Sequence, residues 1–264
     1  MTKYRSNPVD KYGMVLWSEE ERAIWHDLVA RQLKVVENCA CQEYLAGLKM
    51  LNLAIDRVPQ LPDINRVLER ETGWQVVPVP ALISFDRFFE LLANKRFPVA
   101  TFLRSREEFD YLQEPDFFHE IFGHCAMLTN PEFAHFTHTY GKLGYAAPAK
   151  KRAYLARLYW FTVEFGLVKE NNQLKIYGGG ILSSPGETFY ALEGEQALRE
   201  PFDLNRVLRT PYRIDIMQPI YFVLEGIEHL YQLSQLDLIT EIDQAIEAGL
   251  YPPLFDAKEA QDVE

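Results

Sequence analysis

Apolar and polar residues follow one another along this chain mostly with the period of a helix. Behind Ser18-Glu19-Glu20-Glu21, apolar positions recur through Ile24, Leu28, Leu33, Val36, Ala40, Tyr44 and Leu48, which is one buried stripe of a long helix. Its start is a capping box, with the serine hydroxyl accepting from an unpaired first-turn amide and Glu21 reaching back to the cap; Gly47 marks a break. Pro62-Asp63 opens a short helix ending at Gly73, and Trp74 to Val79 reads as a brief strand stopped by Pro80. Ser84 or Asp86 caps a helix carrying Phe88, Phe89, Leu91 and Leu92, Asp116 caps the next, and Asn130-Pro131-Glu132 starts another. Lys150 to Phe165 is a further amphipathic helix ending near Gly166. Leu174 to Tyr177 and Tyr212 to Ile216 read as strands, and Gln218-Pro219 opens a last helical region reaching Gly249. The expected class is mainly α with a few short β-strands, in one domain over 1–264, with 1–16 extended or mobile and 253–264 a disordered tail.

Composition narrows the setting. With 48% hydrophobic and 25% charged residues the chain has the balance of a soluble globular core. Its 27 basic and 38 acidic residues leave a net charge of −11. They are spread along the chain, which argues against nucleic acid or an anionic membrane as partner. Cys39, Cys41 and Cys125 make neither a disulfide framework nor a zinc-finger spacing, which suits a reducing cytoplasm. No apolar run approaches the roughly 20 residues that span a bilayer, so a soluble, unexported protein is expected.

The chemistry concentrates in Pro115-Asp116-Phe117-Phe118-His119-Glu120-Ile121-Phe122-Gly123-His124. Histidines at i and i+4, the zincin spacing, stand about 40° apart around an α-helix, whereas i and i+5 stand about 140° apart. Two such imidazoles reach one metal only from the sides, helped by a local distortion at Gly123. The third ligand lies elsewhere, and Glu164 leads because Tyr159-Trp160-Phe161-Thr162-Val163-Glu164-Phe165 surrounds it with apolar groups that make an isolated charge costly. Two neutral imidazoles and one carboxylate form the facial triad of non-haem iron. The bland alternative has the histidines as core or cap residues and Glu164 paired with a base such as Arg157.

The His119 segment, Tyr159 through Leu167 and Ile176-Tyr177-Gly178-Gly179-Gly180 resemble the aromatic amino acid hydroxylases, and the bacterial phenylalanine-hydroxylating members most. Weaker echoes extend the resemblance from about Trp17 to Glu225 in the family's order. It implies that family's catalytic-domain fold, iron(II) on His119, His124 and Glu164, a tetrahydropterin cosubstrate, and O2 as oxidant for a free aromatic amino acid, phenylalanine first. It further implies that Phe88 stacks the pterin, that backbone at Leu82, Ile83 and Ser84 meets its edge, and that Glu120, Ala156 and Tyr159 line the same cavity. Arg104, held by Asp116, would take the substrate carboxylate. Pro115, Trp160, Phe165 and Gly180 would shape the ring pocket, and Ser183 would support the iron ligands. Without the resemblance, Phe88 is a packing residue and Arg104 a solvated charge. Leu112-Gln113 departs from animal members, which carry threonine-proline there.

Other readings stay open at this stage. Tryptophan or tyrosine hydroxylation differs only in pocket shape, and a zinc hydrolase with Glu120 as general base uses the same donors. A structural metal in a helical protein is a third. His135 and His138, three apart, suggest a solvated face sooner than a second site; His26 and His229 have no partner in view, and Cys125 reads as a small buried thiol. A monomer or small homo-oligomer is expected.

Overall fold

In the computed structural model, residues 4–110, 112 and 114–256 are described; the expected tail beyond 256 and Gln113 lie outside them. Residues 4–8 run extended across the body, and a turn at Asp10–Gly13 then folds the chain back so that Val9 bridges Val15. Asn7 N donates to Thr101 O (2.7 Å), Ser6 Oγ donates to Val79 O (3.0 Å), and Tyr4 stacks on Phe102 at 4.9 Å.

The capping box at Ser18 starts α1 (Glu19–Val36) as its sequence requires. The apolar stripe then breaks at 37–41 rather than at Gly47, because Cys41 N donates to Ile176 O (2.9 Å) and so ties the chain to a strand. Gly47 sits inside α2 (Gln42–Leu51), where a Cβ would come within 2.0 Å of Ala126 O. After α3 (Leu61–Glu71), β1 (Gln75–Val79) pairs in parallel with β2 (Arg96–Ala100) across α4 (Phe85–Ala93), which Ser84 caps. Further on, α5 (Pro131–Ala146) and α6 (Ala149–Tyr159) flank the site.

A four-stranded sheet closes the far side in the order β4-β3-β6-β5, built from β3 (Leu167–Glu170), β4 (Gln173–Ile176), β5 (Leu198–Pro201) and β6 (Ile220–Leu224). Between β4 and β6 lie the short helices α7 (Gly179–Leu182), α8 (Pro185–Glu193) and α9 (Leu204–Arg209). The start of the expected last helix is therefore β6, a strand: its neighbours β3 and β5 are both parallel to it and Tyr221, Phe222 and Leu224 are fully buried. A short apolar run of this kind suits a strand between two partners. Residues 212–216, expected as a strand, are irregular. The chain ends in α10 (Glu228–Ser234) and α11 (Leu238–Ala248). One apolar cluster runs from Val15 to Ala245, and a small second one joins Ala81, Ala100 and Phe102.

Candidate active site

Both segments that carry the expected ligands leave the α-helical pitch. His119–Cys125 and Trp160–Glu164 are wound as π-helix, and Phe165 N donates to Trp160 O (2.8 Å) across five residues. The wider winding closes i→i+5 hydrogen bonds and appears mostly as single turns, so residues five apart lie one above the other. His119 and His124 therefore share a side, and the local distortion expected at Gly123 takes the form of this change of pitch. Their Nε2 atoms are 3.1 Å apart; Glu164 Oε1 is 3.3 Å from His124 Nε2, and Oε2 is 3.7 Å from His119 Nε2.

Donors about 2.1 Å from one ion stand about 3.0 Å apart at right angles and about 3.4 Å apart at tetrahedral angles. The 3.1 and 3.3 Å separations fall between those values and the 3.7 Å one lies just above them, so one ion fits within reach of all three. Ser183 sets the tautomer that such an ion needs. Its hydroxyl donates to Gly179 O (2.9 Å), so with one proton to give it accepts from His119 Nδ1–H (2.9 Å), leaving the lone pair on Nε2 toward Glu164. Gly179 presses on the other ring: a Cβ there would fall 2.4 Å from His124 Cε1 and Nδ1. The glycine run is thus the backing of the histidine pair.

The charges follow from burial. His119 is pushed down to about 4 by burial, against the pull of Glu164, and so is neutral at pH 7. Burial opposes ionisation of Glu164, yet the facing His124 and His119 outweigh it and hold its carboxyl below the ordinary range. Glu120 also offers an oxygen within 4.8 Å of both histidines. Burial, then the charges of Glu164 and Asp116, push Glu120 well up, in the direction opposite to Glu164. Arg104, expected as a solvated charge on residue grounds, is buried against Asp116: Nε donates to Oδ2 and Nη2 to Oδ1, both at 2.9 Å. Asp116 also accepts from the backbone N–H of Arg104 and of His119, both at 3.0 Å. Burial works against its charge, but Arg104 prevails and holds the carboxyl low. Arg104 Nη1 has no partner among the described residues.

A cavity of about 300 Å³ opens beside these donors. Its wall brings together His119, Glu120 and Glu164 with Leu82, Ile83, Phe88, Pro115, Ala156, Tyr159 and Trp160, all singled out above. Ser84 caps α4 instead, and Asp116, Arg104, Phe165, Gly180 and Ser183 stand behind or beside the wall; Phe165 lies 4.5 Å from the Trp160 ring. Sequence reasoning missed Phe85, Phe97, Pro98, Tyr140 and Tyr212, which also line it. Of these only Phe85, one turn before Phe88 and Phe89, carried a visible signal.

The remaining candidates disperse. His135 packs on Tyr231 (5.0 Å) while His138 Nε2 meets Ala93 O (3.0 Å), so they do not converge. His26 pairs with Asp27, His229 packs on Phe202, and Arg157 bonds Ala153 O rather than Glu164. Cys125 is fully buried.

The chain as a whole is similar to known proteins. Residues 2–246 match the biopterin-dependent aromatic amino acid hydroxylases. A phenylalanine-4-hydroxylase of Vibrio cholerae is 69% identical over 261 residues, covering 99% of this chain and 90% of that one. The apo structure of the cold-active phenylalanine hydroxylase from Colwellia psychrerythraea 34H superposes with a TM-score of 0.93 at 53% identity, over 95% and 97% of the two chains. A Chromobacterium violaceum phenylalanine hydroxylase structure with bound oxidized Fe(III) superposes at 0.87 and 42% identity, over 96% and 94%.

Proposed function

The chain belongs to the biopterin-dependent aromatic amino acid hydroxylases, and from that premise we propose that it converts free L-phenylalanine to L-tyrosine with O2, one non-haem iron(II) and a tetrahydropterin, in phenylalanine catabolism. The observation that carries the reading is the convergence of two neutral-capable imidazoles and one carboxylate on a single side, beside an aromatic-walled cavity. The names of the relatives favour phenylalanine over tryptophan or tyrosine as substrate.

His119, His124 and Glu164 would hold the iron beside the cavity. Iron together with reduced pterin supplies the activation of O2. Ser183 keeps the His119 lone pair on Nε2. Arg104, already gripped by Asp116, offers its free Nη1 to the substrate carboxylate, so recognition requires little reordering. Trp160, with Pro115, Phe165 and Gly180 around it, shapes the space for the ring. Phe88 would stack the pterin, with Leu82 and Ile83 at its edge, Ser84, whose side chain caps α4, meeting it only through its backbone, and Glu120, Ala156 and Tyr159 completing the enclosure. Residues 1–264 are read as one catalytic domain because one core spans them from Val15 to Ala245. No helix among the described residues is long and apolar enough to cross a membrane; a cytoplasmic monomer or small homo-oligomer, without nucleic acid or membrane partners, is the setting proposed.

Protein loaded anaerobically with iron(II) is expected to form tyrosine from phenylalanine only when tetrahydropterin and O2 are both supplied. Turnover without pterin, or hydrolysis supported by zinc instead, would overturn the proposal, and parallel assays on tyrosine and tryptophan test the ring preference.

A further inference from the structure

Behind the cavity wall lies a chain of buried hydrogen bonds that touches neither the donors nor the substrate carboxylate site. Trp160 Nε1 donates to Gln218 Oε1 (2.9 Å), and Gln218 is 1% exposed. The Gln218 amide nitrogen donates to both Arg213 O and Ile216 O, each at 2.9 Å. Two carbonyl acceptors on that end determine which way the amide faces, so its oxygen can point only at the indole. Gln218 N in turn donates to Glu187 Oε1 (3.1 Å), which also accepts from the Tyr221 hydroxyl. Gln218 is thereby anchored through its own backbone at the mouth of β6.

The rings in front of this chain form the cavity wall. Trp160 stacks on Tyr212 at 4.5 Å and 18°, and both line the cavity. Tyr212 lies in the irregular stretch before β6, whose backbone carbonyls at 213 and 216 are the ones held by Gln218. One side chain thus holds the indole by its N–H and the stretch carrying the tyrosine by its carbonyls. We infer that Gln218 is a positioning residue for substrate specificity: it locks the Trp160–Tyr212 pair into the flat wall against which the aromatic ring of the substrate rests. The inference takes its substrate from the function proposed above.

A wall that binds ground state and transition state alike should act on KM and spare kcat. Losing one buried hydrogen bond and the order it imposes corresponds to about tenfold. In Gln218→Met, which keeps length and loses every polar group, the KM for phenylalanine is expected to rise about tenfold, with kcat and the pterin KM within about twofold of wild type. In a Trp160→Phe background, where the donor is gone, the same substitution should add less than about threefold. Equal increases in both backgrounds, or kcat and both KM values deteriorating together, would overturn the inference. Should Gln218→Met not fold, Gln218→Asn keeps the amide one methylene short and should give an intermediate rise; an unchanged phenylalanine KM there overturns it equally.

A second arm needs neither metal nor turnover. In protein with ¹⁵N-labelled tryptophan, the indole N–H resonance that disappears in Trp160→Phe should move upfield in Gln218→Met or Gln218→Asn. If it stays in place, the positioning role fails even in an active enzyme. If the wild type hydroxylates no phenylalanine while this resonance does move, the functional reading fails and the strut stands.

Discussion

The two walls of the cavity are built on opposite plans. On the donor side the supporting polar groups are committed, with Arg104 Nη1 and His124 Nδ1 left without a partner among the described residues: Asp116 takes four hydrogen bonds, Ser183 bridges His119 and Gly179, and Gln218 is fully engaged. Across from it, the stretch 81–88 presents apolar side chains to open space, with Leu82 and Phe85 more than half exposed. The first wall is ordered before anything binds, which is how electrostatic positioning avoids reorganisation during reaction. The second offers ring faces, the aliphatic Leu82 and Ile83, and backbone edges. Binding there rests on area and stacking, and should tolerate change.

The comparison breaks most sharply at Glu164. Alanine there leaves two imidazoles and no anionic donor; since losing a supporting contact alone costs about 10–100-fold in metal affinity, bound iron and turnover are both expected to disappear, as read by metal analysis of the purified variant. Retained iron at full stoichiometry would remove Glu164 from the ligand set. Next comes Arg104→Ala, which strands the fully buried Asp116 carboxylate. A destabilisation of about 3–5 kcal/mol, measured by denaturant unfolding, should accompany a raised phenylalanine KM; wild-type stability would mean that the pair is not anchoring this wall. Gly179→Ala drives a methyl into the His124 ring, and iron affinity measured by chelator competition should fall by about 10–100-fold.

On the opposite wall the effects shrink. Phe88 meets Tyr159 edge-on at 5.4 Å, and its removal in Phe88→Ala should raise the pterin KM by roughly three- to tenfold while iron content stays whole. Loss of iron in that variant would erase the distinction between the walls. The smallest effect belongs to Glu187, whose carboxyl burial pushes up despite the hydrogen bonds from Tyr221 and Gln218. A raised carboxyl keeps its proton in the fold while the unfolded chain loses it near pH 4.3. Stability is therefore lost as pH climbs from there toward the raised value. Glu187→Gln escapes this loss, so its melting temperature should match wild type near pH 4 and exceed it increasingly above; a constant difference would assign Glu187 a neutral structural role.

Legibility divides along the same line. Ser18, Ser84 and Asn130 announce their helices because a cap is a local bond, and the mainly helical class followed from such signals. The proposed ligand residues stood out as chemistry misplaced among apolar neighbours. What stayed hidden depends on distant partners. The π pitch at His119 could not be read from spacing, since it is settled where Gly123 and Gly179 touch; a Cβ at 123 would come within 2.7 Å of Gly179 O. Residues 220–224 give no periodic cue, and become a strand because β3 and β5 lie on either side. Arg104 looked like one charge among several until Asp116, twelve residues on, buried it. Tyr140 and Tyr212 reach the cavity from elements with no motif at all.

The change of pitch makes the count of residues between His119 and His124 a component of the site in its own right. Deleting one residue between them would retain both imidazoles and bring them to the i and i+4 spacing, about 40° apart on ordinary α winding. Five residues on a π turn and four on an α turn thus both put two imidazoles on one side, and a search for such centres must read the gap together with the winding.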